Sequence, residues 1–143
     1  MARHARTDDH DFLTVGAPAP LQTAAAVGFA FDADYYNHFS ADYRTRREFL
    51  TGVLRDVGFT FSVPEGAYYI FADFSRLSDL DDVTFAKWMT QEIGVATVPG
   101  SSFYSNREDG RRFVRFAFCK KFETLHMAED RLRRLPAALG VRD

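Results

Sequence analysis

The chain has 143 residues, 46% of them apolar and 15% aromatic, enough to close one compact domain around a real core. A net charge of −2 gives no global basic field, which excludes sequence-independent nucleic-acid or membrane-surface binding and makes any anion recognition local. The lone Cys119 cannot form an internal disulfide, no Cys and His residues share the tight spacing of a structural zinc site, and no apolar run approaches the roughly 20 residues that span a bilayer.

Residues 1–10 are polar and charged, with neither periodic apolar residues nor the apolar core of a signal peptide. They read as disordered or as a truncated edge, and the protein reads as cytoplasmic. The run Thr14–Leu21 (TVGAPAPL) carries a glycine and two prolines, which suits an extended linker or lid. After Gln22 the stretch TAAAVGFAF predicts a helical turn or more, broken near Gly28 and Asp32. From Asp34 to Val57 the apolar positions Tyr36, Phe39, Tyr43, Leu50, Val53, Leu54 and Val57 recur at helical spacing. With Asp32 or Asp34 as N-cap and Gly58 as stop, this is a long helix.

Gly58–Val63 (GFTFSV) alternates as a short strand, Pro64-Glu65-Gly66 is its turn, and Ala67–Phe74 (AYYIFADF) is a second strand, so the pair predicts a hairpin. Asp79, Asp81 and Asp82 open a further helix, where carboxylates favour the dipole. Its Phe85, Trp88, Met89 and Ile93 line one face, and Gly94 ends it. Val95–Val98 is a short strand entering Pro99-Gly100-Ser101-Ser102, and Asn106–Gly110 is a polar turn before the strand Arg112–Phe118. Phe122–Leu135 closes the chain as an amphipathic helix on Leu125, Ala128, Leu132 and Leu135, with arginines at its C-terminal end. This order of helices and strands predicts an α+β layer with helices on one sheet face.

Alternation within Arg112–Phe118 places Val114, Phe116 and Phe118 on a core face, and Phe113, Arg115, Ala117 and Cys119 on the other. Arg115 thus sits between apolar neighbours, where a guanidinium needs a planar anion, and its fork matches a carboxylate with two parallel hydrogen bonds. An internal ion pair with a nearby Asp or Glu is the alternative. Val98–Phe103 offers closely spaced backbone N–H groups and two hydroxyls, either an anion or ligand edge or an ordinary strand-ending turn. The four histidines, His4, His10, His38 and His126, are scattered and suggest surface positions, while Tyr68, Tyr69 and Trp88 suggest core and sheet packing. Gly110–Phe118 shares features with the RNP1 strand of RNA-recognition motifs, but its interleaved residues differ and the chain is mildly acidic, which argues against nucleic acid.

Five segments in order resemble the C-terminal part of fold-type I aminotransferases, of the branch containing kynurenine, methionine and aspartate-type enzymes. They are Asp11–Gln22 (DFLTVGAPAPLQ), Asp42–Leu50 (DYRTRREFL), Pro64–Tyr69 (PEGAYY) with Asp73, Val98–Phe103 (VPGSSF) and Val114–Lys120 (VRFAFCK). The resemblance implies the aminotransferase small domain over residues 33–143, an α+β fold whose mixed or antiparallel sheet carries helices on one face. Residues 11–32 would be a linker or remnant of a large domain. It further implies that Arg115 binds the carboxylate of an amino-acid or 2-oxo-acid substrate. Val15 and Gly16 would approach the partner subunit's active site in a homodimer, and pyridoxal 5′-phosphate would be the cofactor of the intact enzyme.

In that family the cofactor lysine, the aspartate facing the pyridine nitrogen and most phosphate ligands lie upstream of the stretch that Asp11–Gln22 resembles. The lysines present, Lys87, Lys120 and Lys121, fall in no such motif. No catalytic, cofactor-binding or metal-binding residue is therefore assigned. The chain alone is expected to be inactive, to hold no cofactor covalently, and to expose apolar surface around Phe113 and Ala117. The alternative is a non-catalytic carboxylate-binding or protein-interaction module with the same fold.

Overall fold

A computed structural model describes residues 16–140, so the expectations for residues 1–10 and for Val15 lie outside the described residues. Two compact units divide between Phe39 and Ser40. In the first, helix α1 (Ala19–Gly28) begins inside the run expected to be extended. Pro20 lies in its first turn, where the missing N–H would have had no intrahelical partner anyway. The proline-rich run therefore starts a helix as well as linking to it. A second helix, α2 (Ala33–Asp56), opens where the Tyr35 N–H donates to Asp32 Oδ1 at 2.8 Å, so Asp32 is the N-cap.

In the second unit α2 buries Leu50, Val53 and Leu54, and Tyr43 meets Phe118 edge-on at 6.2 Å. Tyr36 and Phe39, expected on the same stripe, are about half exposed at 46% and 50% and belong to the first unit. Gly58 stops the helix in the left-handed region (φ 101°), and a Cβ there would also sit 2.8 Å from Leu77 Cδ2.

Three strands form an antiparallel sheet in the order β1 (Tyr69–Asp73), β3 (Phe113–Ala117), β2 (Val98–Pro99). The hairpin expected from Gly58–Val63 is reduced to one bridge, in which Thr60 and Asp73 exchange both backbone hydrogen bonds. Beyond it Ser62 and Val63 are exposed, and the Pro64 carbonyl is drawn to α2 by the Arg47 guanidinium at 2.8 Å. The turn that follows holds Ala67 at φ 62°, a conformation costly for a residue with a Cβ. Val95–Thr97 likewise does not pair, and only Val98 and Pro99 join the sheet, the proline on an edge strand where its missing N–H breaks no ladder.

Ile70, Ala72, Val114 and Phe116 point to one face and are at most 4% exposed. Against them pack Leu54 from α2, Phe85 from α3 (Asp82–Trp88), and Leu132 and Leu135 from α4 (Phe122–Leu132) and α5 (Leu135–Ala138). Phe74 stacks on Phe85 at 4.1 Å, and each such buried ring contributes about 1.5–3 kcal/mol. The expected helix to Gly94 changes character midway: Met89–Ile93 is a π turn. An i, i+4 row drifts around an α-helix, and the wider turn offsets that drift, keeping Ile93 over the core with Phe85 and Met89. The last helix is interrupted after Leu132, and Pro136 starts α5. Its arginines act across elements: Arg131 donates to the Gly94 carbonyl at 2.7 Å, closing the end of the π turn.

Candidate functional site

The second sheet face carries Tyr69, Phe71 and Asp73 from β1, and Phe113, Arg115 and Ala117 from β3. Strand alternation places them there because Ile70, Ala72, Val114 and Phe116 are committed to the core. Arg115 is on the central strand, paired with Phe71 on one side and Val98 on the other. Its guanidinium carbon lies 5.0 Å from the centroid of Tyr69 and 4.5 Å from that of Phe103. Phe71 extends the aromatic surface, stacking on Phe113 at 5.2 Å and meeting Phe103 edge-on at 5.8 Å.

Two rings against a half-buried guanidinium supply cation–π attraction and dry part of its surroundings. Among the described residues no Asp or Glu pairs with Arg115, so the internal ion pair weighed from the sequence is not formed there. A positive charge in a partly dried setting, with its donor fork unspent, favours a planar anion. Tyr69 was expected in core and sheet packing rather than as a stacking platform. Instead it sits two residues before Phe71, the partner of Arg115, and its ring reaches the guanidinium diagonally across the sheet.

Val98–Phe103 serves the site differently from the anion edge considered above. After β2 it forms a 3₁₀ turn, Gly100–Phe103, whose Ser101 N–H donates to Asp82 Oδ2 at 2.7 Å. An internal carboxylate thus takes the amide that an external anion would have used. Phe103, at the end of this turn, was missed as a site residue because nothing local marks a ring that meets a strand across the fold. Gly16, the other expected substrate contact among the described residues, is exposed and belongs to the first unit, whereas Arg115 belongs to the second.

Arg112, three residues before Arg115, has a different task. Its guanidinium donates to the Ser78 carbonyl at 2.6 Å, the Leu80 carbonyl at 3.0 Å and Ser75 Oγ at 3.1 Å, and lies over the Phe74 ring. It clamps the loop before α3. Asp81 caps that helix, and hydrogen bonds from the Thr84 N–H and hydroxyl hold its carboxyl below the usual range.

The residues present can be tested against the pyridoxal phosphate that the resemblance implies. Anchoring it covalently needs a lysine amine in an enclosed setting. Lys87, Lys120 and Lys121 are all exposed, so they do not fit an anchored cofactor. No step is assigned through it. Among the described residues no three His, Cys, Asp or Glu side chains are grouped to hold a metal ion, and no helix is long and apolar enough to cross a membrane.

Residues 2–132 match the family described as aminotransferase class I and II. The chain is 36% identical to methionine aminotransferase of Escherichia coli over 126 residues, covering 88% of this chain and 32% of that protein. It is 30% identical to kynurenine–oxoglutarate transaminase of Dictyostelium discoideum, covering 88% of this chain and 34% of that protein. Its fold superposes on N-succinyldiaminopimelate aminotransferase from Mycobacterium tuberculosis with a TM-score of 0.76 at 30% identity, over 87% of this chain and 33% of that one. The chain therefore spans about a third of the length of these relatives. With that family matched over residues 2–132 and relatives 30–36% identical over most of the sequence, this chain belongs to the aminotransferase class I and II family.

Proposed function

We propose that this chain is the substrate-carboxylate-binding small domain of an amino-acid aminotransferase, spanning residues 33–143, with Arg115 as the carboxylate receptor. The observation that carries the reading is the Arg115 guanidinium, in contact with the Tyr69 and Phe103 rings and without a carboxylate partner among the described residues. A ring over the face of a guanidinium leaves the in-plane N–H edge to a carboxylate, which accepts two parallel hydrogen bonds. The intact enzyme moves an amino group between an amino acid and a 2-oxo acid, and pyridoxal phosphate supplies the electron sink when bound. Orientation is what this chain contributes. Its exposed lysines do not supply the enclosed amine, so it does not transaminate alone; in the complete enzyme we place it in a homodimer, with Val15 and Gly16 toward the partner's substrate.

Titration of the chain with amino acids and 2-oxo acids, read by NMR at the backbone amides of β3, tests this. One bidentate contact on an open face gives a Kd on the order of millimolar. Arg115→Lys keeps the charge but loses the fork, and is expected to weaken binding about tenfold. No carboxylate binding at tens of millimolar, or equal affinity in Arg115→Lys, would sink the assignment. Specific carboxylate binding to a chain that gains no transaminase activity when supplied with the remaining two thirds of a relative would favour the non-catalytic module instead.

A further inference from the structure

We propose that Asp82 is a positioning residue for this anion site, fastening the Gly100–Phe103 turn so that the Phe103 ring covers the Arg115 guanidinium. This rests on Arg115 being a carboxylate receptor. Asp82 is 3% exposed, and its Oδ2 accepts the Ser101 N–H at 2.7 Å. Among the described residues no cation pairs with it. Burying a carboxylate without a cation is costly, even in the first turn of α3, where the helix dipole favours it. An apolar side chain would pack at such a position without that cost. The carboxylate adds an acceptor that ties α3 to the turn.

The same turn is fixed from its other side. Gly100 lies so close to the sheet that a Cβ there would sit 2.6 Å from the Phe113 carbonyl oxygen, and one on Gly110 would sit 2.5 Å from the Gly100 oxygen. Backbone packs on backbone at this crossing, and Ser101 is the next residue along. The crossing, the Asp82 bond and the sheet hold the turn, and it ends in Phe103. That ring lies 4.5 Å from the Arg115 guanidinium carbon and meets Phe71 edge-on. Ser101 and Phe103 are two residues apart in one short turn, so losing the Ser101 bond leaves the Phe103 end of the turn held from one side only. Asp82 touches no substrate in this scheme. It acts through Ser101 and Phe103 on the cation.

The test reads the stack and the binding separately, in the labelled chain. Protons of a guanidinium lying over aromatic rings are shifted upfield, so the Arg115 side-chain signals report the Phe103 contact without any ligand. Pyruvate and phenylpyruvate serve as carboxylate probes. Asp82→Ser suits a helix start but withdraws the acceptor by one bond. It is expected to reduce the upfield shift and to weaken both probes about 3- to 10-fold, because a guanidinium released from the ring is more hydrated and less ordered and must be dried and fixed when the carboxylate binds. Asp82→Asn keeps a carbonyl oxygen at the same reach and is expected to restore shift and affinity, which a requirement for charge or for helix stability alone would not predict. Phe103→Leu is expected to reproduce the losses of Asp82→Ser with the Ser101 amide still bonded, and it decides the question should Asp82→Ser fail to fold. Unchanged Arg115 signals and unchanged affinity in folded Asp82→Ser, or in Phe103→Leu, would overturn the proposal. A wild-type chain that shows the upfield signals but binds neither probe would overturn the receptor reading of Arg115 while leaving Asp82's control of the stack intact.

Discussion

Arg115 and Arg112 stand three residues apart on or beside one strand, yet their surroundings give them opposite tasks. Arg112 spends its donors on the carbonyls of Ser78 and Leu80 and on Ser75 Oγ, which makes it a clamp. Among the described residues Arg115 meets rings in place of acceptors, which leaves its fork for a ligand. Glycines set the same scale of detail at the turn beside it. Gly110→Ala would drive a Cβ into the backbone of Gly100 and Ser101, and backbone cannot move aside as a flexible side chain can. A loss of about 2–4 kcal/mol is expected, in the range of severe overpacking, measured as a lowered midpoint in urea. A change under about 0.5 kcal/mol would show that the crossing is looser than its geometry implies.

At the scale of elements, α3 illustrates how local chemistry and packing divide the work. Asp81 caps it and the π turn lengthens it, while Arg131 of α4 closes its far end at Gly94. Because the Thr84 donors lower the Asp81 pKa below its ordinary value of 3.8, its contribution is complete above that value and is lost as pH falls through the lower, folded value. Asp81→Ala is therefore expected to cost about 1 kcal/mol at neutral pH, typical of an exposed cap, and less in acid below the folded pKa. Thermal melts of both proteins from pH 7 down to about 2 check this, and a difference that does not shrink on acidification would contradict the assignment. That Asp81 is the one that caps the helix came from the structure, but the start of the helix was legible from Asp79, Asp81 and Asp82 before an apolar row. The π turn was not, because a π turn and an α turn share the same residues and differ in which row meets the core.

At the scale of the whole molecule, the second sheet face is lined by aromatics, and Phe103 and Tyr104, which meet Phe71 there, are exposed by 46% and 41%. A surface of this kind is expected to drive concentration-dependent association of the isolated chain. Light scattering should show a rising mean mass, reduced in Tyr104→Lys; a monomer at every concentration up to the millimolar range would count against it. By itself the sequence determined what depends on residues near one another along the chain. It set the long helix with an aspartate cap at Asp32 or Asp34 and its Gly58 stop, the alternation that turned Arg115 away from Val114 and Phe116, and the ordered motifs that pointed to the family. Such signals are local, since caps act over three residues and strand faces over two. Only the tertiary structure decided that Thr60 makes a single bridge where a hairpin was expected, and that Tyr69 and Phe103 close on the Arg115 guanidinium while Asp82 takes the Ser101 amide. Strand register and the seating of a turn arise from contacts between residues far apart in sequence, and no local pattern encodes which of the many possible partners will meet.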